Sequence, residues 1–343
     1  MKVVLIGGGV QPIPPTGYGA VERILADFQA ALVAAGHEAT VVNRVRKKRM
    51  RDEYPFAFEL PRLLRKLDYD VLHANTPVVA NRLAGKGYPF VYTSHSRHWF
   101  YREKLTHDWG YYLERRAVRR ASAVVALTPT LAKTMAKTVK PPLPPVSVIP
   151  FGVDSERFRP VPERRTGRYA LGVGVVLPLK RWHLAARALK GLGIHLRIAG
   201  PMPSTHYAYE VLRAGGEDVS LLGEIPKDYL LRLYAESDFL IHPSAVEILS
   251  ATVLEALASG LPVIGGSAVD WVVENDKTGW SLYDGDELVF VEKMREKASM
   301  LLADDFLRRS MGAQARTEAR RRFAWPKVVA EHLAVYERLR EAG

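Results

Sequence analysis

The run His242-Pro-Ser-Ala-Val-Glu247-Ile-Leu-Ser250-Ala-Thr-Val-Leu-Glu255-Ala-Leu-Ala-Ser-Gly260-Leu-Pro262-Val-Ile264 carries two glutamates that no simple core-packing pattern requires. Phe239-Leu-Ile241, just ahead of it, reads as a strand ending at the turn His242-Pro-Ser244. Ser250 is a candidate N-cap, and Ala251 to Ser259 a short helix closed by Gly260 and Pro262. A buried-looking strand, Pro262-Val-Ile264, follows directly. Glu247 then lies in the loop before the helix, and Glu255 inside an otherwise apolar helix. A carboxylate there needs a partner, and a ligand rich in hydroxyls is one candidate. The alternative is a helix-start glutamate favoured by the dipole plus one ordinary ion-paired glutamate.

Working outward, strands and helices alternate. Val3–Ile6 reads as a strand and Tyr18–Ala35 as a helix, with Val21, Ile24, Leu25, Phe28, Ala31 and Leu32 at helical spacing. Ala39–Val42, Asp70–His73, Phe90–Thr93 and Ala123–Leu127 are further strands. A proline-rich passage from Pro141 to Arg165 is the best linker candidate. Alternation resumes with Tyr169–Gly174, a helix over His183–Lys190, His195–Ala199, Val219–Leu222 and a helix over Lys227–Ala235. Two such series imply two doubly wound α/β domains, and ligands in such sheets bind beyond the carboxyl ends of the strands, here in the cleft between the two sheets.

Composition bounds the function. The 343 residues suffice for two cores, and with no cysteine the chain can hold neither disulfides, thiolate metal sites nor a cysteine nucleophile. The apolar N-terminal run is too short for a signal peptide, and no run approaches the ~20 apolar residues of a membrane span. A cytoplasmic location is expected. The formal net charge of +12 points to an anionic partner. Gly7-Gly-Gly9 lacks the dinucleotide-binding spacing and is discounted.

Several segments together resemble the family-four retaining glycosyltransferases. They are Pro14-Pro-Thr-Gly17-Tyr-Gly19-Ala-Val-Glu22-Arg, Ala35-Gly-His37-Glu, Ile149-Pro-Phe-Gly-Val-Asp154, Arg157-Phe-Arg-Pro160 and Leu196-Arg-Ile-Ala-Gly-Pro201. Leu222-Gly-Glu-Ile225, His242-Pro-Ser244, the Glu-x7-Glu pair, Lys277-Thr-Gly279 and Phe323-Ala-Trp325 complete the order. The resemblance implies a GT-B architecture: two Rossmann-like parallel-sheet domains, with a C-terminal helix crossing back to the first. It implies an acceptor domain over 1–150 joined by the helix at about 327–343, and a nucleotide-sugar donor domain over 151–326.

The same resemblance implies a role for each site residue. Glu255 would bind the ribose hydroxyls and Glu247 the donor hexose. The backbone N–H groups of Ser250, Ala251 and Thr252 would meet the diphosphate at a helix N-terminus. Lys180 would stabilise the charge growing on the leaving group. Gly17 and Gly19 let backbone approach phosphate and sugar, His95 would lie near the donor sugar, and the backbone at Glu224 and Ile225 would read the base. His95, Glu247 and Lys180 are the candidate catalytic residues.

Three departures stand out. Val175 occupies the place of a usual phosphate-binding arginine, for which Arg181 is a candidate replacement; Ile248 and Ser250 replace usual glycines; and Asp270-Trp271 stands where a glutamate is common. No obligatory cofactor is expected beyond a UDP- or GDP-linked sugar as co-substrate, and no metal ligand set is assigned. Hexosyl transfer with retention would be front-face, the leaving phosphate helping to deprotonate the acceptor.

Acceptor chemistry rests on basic and aromatic runs: Arg44-Val-Arg-Lys-Lys-Arg49-Met-Arg51, Arg97-His-Trp-Phe-Tyr-Arg102, and Trp109-Gly-Tyr-Tyr112 with Arg115, Arg116, Arg119 and Arg120. They suit a lipid or lipid-linked glycan acceptor and peripheral attachment to an anionic membrane surface. The alternative is a solvated, arginine-rich surface. Two rival functions are a sugar-nucleotide epimerase of the same fold, and a basic nucleic-acid-binding protein, against which stands the lack of a recognised module.

Overall fold

A computed structural model describes residues 1–17, 19–44, 53–96, 99, 109–139, 141–161 and 168–341. The chain divides into two compact units: Met1–Gly152 with Trp325–Gly343, and Val153–Ala324. Among the described residues no helix is long and apolar enough to cross a membrane.

Unit 1 contains β1 (Lys2–Ile6), α1 (Ala20–Ala34), β2 (Glu38–Val42), α2 (Glu53–Leu64), β3 (Val71–Ala74), α3 (Pro77–Ala84), β4 (Val91–Ser94), α4 (Trp109–Arg120), β5 (Ala123–Ala126), α5 (Pro129–Thr138) and β6 (Val146–Val148). The six strands are parallel in the order β2-β1-β3-β4-β5-β6, so the winding reverses between β1 and β3. Side chains alternate across the sheet. Val3, Leu5, Val71, Val91 and Val125 pack with Phe28 and Leu32 of α1, and with Val328, Val335 and Tyr336 from the last helix. Tyr92 neighbours Val91 and so points to the opposite face, where its hydroxyl reaches Glu114 of α4 at 2.8 Å.

Unit 2 contains β7 (Tyr169–Val173), α6 (Trp182–Leu189), β8 (His195–Ala199), α7 (Thr205–Gly215), β9 (Val219–Gly223), α8 (Lys227–Glu236) and β10 (Phe239–His242). It continues through α9 (Ala251–Ala258), β11 (Val263–Gly266), β12 (Gly279–Leu282), α10 (Glu287–Ala303) and α11 (Asp305–Phe323). Its parallel order, β12-β11-β10-β7-β8-β9, reverses between β7 and β10.

The final helix, α12 (Trp325–Glu341), belongs to unit 1. Trp325 stacks on Phe28 with ring centroids 5.8 Å apart. Gly152 makes this approach feasible, since a Cβ there would stand 2.4 Å from the indole. The proline-rich passage is not simply a linker. β6 lies inside it as an edge strand on β5, and Pro145 accepts the Val124 N–H through its carbonyl at 2.9 Å. Prolines are tolerated there because an edge strand need not donate on its outer side. Residues 162–167 of the passage lie outside the described residues.

Candidate functional site

The reversal point of a doubly wound sheet opens a crevice at the carboxyl ends of the two strands that flank it. In unit 2 those strands are β7 and β10. The β7–α6 connection makes a 3-10 turn over Pro178–Lys180. The β10–α9 connection is tied to it, Ala245 N–H donating to Leu179 O at 3.0 Å. This brings Lys180 Nζ into direct contact with Glu247 Oε1. His242, fully buried at the end of β10, places Nε2 3.3 Å from the same oxygen. Burial works to raise the Glu247 pKa, but the imidazole and the Lys180 charge outweigh it and hold the carboxyl at about 2. Burial likewise lowers the His242 pKa, so that ring is neutral near pH 7.

Arg181 follows in the left-handed region, at φ 50°. Its Nε donates to Pro243 O at 2.7 Å and its Nη2 to Asp284 Oδ2 at 2.5 Å, while longer 3.4 Å contacts reach Ser244 O and Asp284 O. The guanidinium therefore braces the turn after β10 against the segment after β12.

Helix α9 starts at Ser250, which occupies the N-cap position without capping a backbone N–H through its side chain; its hydroxyl lies 3.0 Å from that of Thr252. The helix is otherwise sunk in the core, with Val253, Leu254 and Leu257 fully buried, each contributing roughly 1.5–3 kcal/mol of apolar transfer. Gly260, at φ 69°, closes it, with Gly260 N–H donating to Leu257 O and Leu261 N–H to Ala256 O. Glu255 is 7% exposed, and its Oε2 accepts the Tyr234 hydroxyl at 2.8 Å. Glu224 and Ile225 follow β9, the edge strand two places from β7.

Two family models cover the chain: Glycosyltransferase Family 4 over residues 19–157 and Glycosyl transferases group 1 over 166–300. The chain belongs to glycosyltransferase family four.

Among curated relatives, it is 26% identical over 313 residues to the MMP alpha-(1->4)-mannosyltransferase of Mycolicibacterium hassiacum, covering 82% of this chain and 74% of that one. It is 28% identical over 216 residues to a GDP-mannose-dependent alpha-(1-6)-phosphatidylinositol monomannoside mannosyltransferase of Mycobacterium tuberculosis, spanning 55% of each. Among solved structures, the sucrose-phosphate synthase of Thermosynechococcus elongatus superposes over the full length of both chains with a TM-score of 0.85 at 19% identity. The fold is therefore GT-B, and the enzyme is a glycosyltransferase.

In unit 1 of this family-four enzyme, the remaining site residues lie on the carboxyl edge of the sheet. Gly17 and Gly19 belong to the β1–α1 connection. Gly19 immediately precedes α1 in a cramped corner, where a Cβ would stand 2.9 Å from both Gln11 Oε1 and Pro15 Cβ. His95 follows β4, with Nε2 3.2 Å from Asn75 Oδ1. Asn75 Nδ2 points to Ile6 O and His73 O, so its oxygen faces the histidine and Nε2 carries the proton. Burial, then the neighbouring His332, lowers the His95 pKa to about 4.

Four residues near these groups escaped the sequence reading of individual roles: Tyr234, His242, Asn75 and Asp284. Tyr234 is indistinguishable in sequence from the core periodicity of α8. His242 and Asn75 had one available signal, a polar residue at or just after the end of an apolar strand. The tracts at 45–51, 97–98 and 100–102, and His98 and His107, lie outside the described residues; within the second tract only Trp99 is described.

Proposed function

We propose that the enzyme transfers a hexosyl group from a UDP- or GDP-sugar to an acceptor hydroxyl, with retention of configuration and without an obligatory metal. The observation that carries this reading is the grouping, at one reversal point, of Lys180, Glu247 and the start of α9, with Glu255 one helical segment further on. Lys180 and the α9 N–H groups would receive the diphosphate, Glu255 the ribose diol, and Glu224 and Ile225 the base. Arg181 would add to the field at the phosphates while holding the turn that carries them.

Glu247 neutralises Lys180 across their ion pair. A diphosphate is the stronger partner for the ammonium, and its arrival would free Glu247, kept ionised by its depressed pKa, to accept hexose hydroxyls. As the glycosidic bond breaks, negative charge grows on the leaving phosphate. Lys180 and the helix terminus stabilise it, and the phosphate takes up the acceptor proton as the acceptor oxygen bonds to the anomeric carbon on the same face. His95, neutral and with Nε2 committed to Asn75, offers Nδ1 as an acceptor toward the sugar.

Unit 1, whose Gly17, Gly19 and His95 would approach the donor phosphate and sugar, would also hold the acceptor, a lipid or lipid-linked glycan. The Mycobacterium tuberculosis relative, named as a GDP-mannose-dependent phosphatidylinositol monomannoside mannosyltransferase, supports both the donor class and the acceptor class. A thermal-shift panel of UDP-, GDP- and ADP-sugars tests the proposal. One nucleotide series should raise the melting temperature of the wild type and not that of Glu255→Ala; no stabilisation by any sugar nucleotide overturns it.

A further inference from the structure

Helices α2, α3 and α4 are neighbours on the face of the unit 1 sheet opposite α1 and α12. Their outward surfaces share a pattern. On α2 the solvent-facing positions Tyr54, Phe58 and Arg62 follow one another at helical spacing, with Arg65 in the turn just after it, and Tyr54 is 43% and Phe58 67% exposed. On α4 the corresponding positions are Trp109, Tyr112, Arg116 and Arg119, with Trp109 63% and Tyr112 50% exposed and their rings stacked at 5.4 Å. Both helices thus present two aromatics in the first turns and arginines in the later ones. The helices of such a sheet run against the strands, so both aromatic pairs lie toward the carboxyl edge of the sheet, the edge that carries Gly19 and His95.

Between the two stripes, the α2 and α3 segments form a pocket of about 480 Å3 lined by Arg62, Arg65, Arg82 and Lys86 with Phe58 and Tyr88. The Arg82 guanidinium sits 4.8 Å from the Phe58 ring centre, and its Nε has no hydrogen-bond partner among the described residues. The pocket's carboxylate, Glu59, is already ion-paired with Arg44 at 3.0 Å. Glu114 of α4 is fully buried beneath the surface. Among the described residues of this face, cations therefore outnumber the carboxylates that could answer them.

The geometry points to this α2–α3–α4 face as a docking surface for an anionic phospholipid bilayer, with the aromatic pairs entering the interface and the arginines, including the Arg82 pocket, taking headgroup phosphates. Exposed aromatics cost free energy in water and gain it at an interface, and each cation near an anionic surface adds about 1 kcal/mol. A solvated arginine surface would explain the charge but not the repeated exposed aromatic pairs. The inference deepens, and for its biological use rests on, the lipid acceptor proposed above. It sets the acceptor-binding edge beside the bilayer.

Vesicle flotation with the full chain tests it, comparing phosphatidylcholine alone with phosphatidylcholine mixed with phosphatidylglycerol. Wild type should float only with the anionic vesicles. Arg116→Glu with Arg119→Glu should lower the partition coefficient by at least about 30-fold, the loss of two cations alone accounting for that factor, and Phe58→Ser with Tyr112→Ser about tenfold. Arg309→Glu with Arg320→Glu, exposed cations on α11 of unit 2, makes the same net-charge change and should leave binding nearly unaltered. Equal losses from the two charge reversals, an aromatic double variant that floats like wild type, or no binding to anionic vesicles would each overturn the assignment. Thermal shifts with sugar nucleotides are read in parallel, so failure at the membrane is distinguishable from failure of the donor site.

Discussion

Acidification should loosen α12 from the rest of unit 1, because two buried histidines, His73 and His332, lie where it docks and the half-buried His95 lies nearby. His73 stands between the Tyr336 and Thr93 hydroxyls, each at 2.7 Å from a ring nitrogen. His332 points Nδ1 to Val328 O at 2.8 Å and packs on Phe28 at 4.6 Å. Burial lowers the pKa of His332 to about 4, burial and then His332 lower that of His95 to about 4, and His73 falls well below 6.5. The folded protein therefore keeps these rings neutral where the unfolded chain takes up protons. Stability is fully present above pH 6.5 and is lost as pH falls from 6.5 towards 4. A fall from 6.5 to about 4 corresponds to roughly 3 kcal/mol for His332. That is a large share of a typical domain stability of about 5–15 kcal/mol. Hydrogen exchange followed by mass spectrometry at several pH values, corrected for the intrinsic rate, reads the protection of α12 directly. Protection should fall steeply across this window, and His332→Phe should flatten the dependence by about 1.4 kcal/mol per pH unit. A wild-type profile that is flat from pH 6.5 to 4, or one that His332→Phe leaves unchanged, would show that these histidines do not control the docking of α12.

Other consequences concern the proposed donor site. Lys180→Ala should lower kcat by about 10²–10³-fold, as loss of a charge-stabilising donor does, with a smaller effect on donor KM; equal kcat in steady-state assays would remove Lys180 from the chemistry. Tyr234→Phe deletes the 2.8 Å hydrogen bond to Glu255. At roughly 1–2 kcal/mol it should weaken nucleoside diphosphate binding about tenfold and reduce discrimination against the 2′-deoxy analogue. Unchanged ribose selectivity would make Tyr234 a packing residue only.

Much of the alternation was legible because buried parallel strands are short apolar runs between glycine or proline signals. β8 occupies the residues expected for it, and α9 begins at its expected cap and is closed by Gly260. Elements with mixed signals were not legible. Helix α2 contains Pro61, α4 is dominated by arginine, and β6 lies within a proline-rich tract that reads as a linker. In the site, residue types and their order were readable, but contacts were not. Lys180 and Glu247 meet only because two connections converge at the reversal of the sheet, and that order depends on pairings between strands distant in sequence. Arg181 and Asp284 show the same limit, since no local pattern links the start of α6 to the end of β12.

In the proposed function, the β7–β10 crevice binds a nucleoside diphosphate sugar through Lys180, the α9 N-terminus and Glu255. Isothermal titration of UDP and GDP into wild type, Lys180→Ala and Glu255→Gln tests it most directly. One nucleotide should bind the wild type at a single site, and each substitution should weaken that binding about tenfold or more, in keeping with roughly 1.5–3 kcal/mol for a charge-assisted hydrogen bond. No binding of either nucleotide to the wild type, or equal affinity in all three proteins, would contradict it.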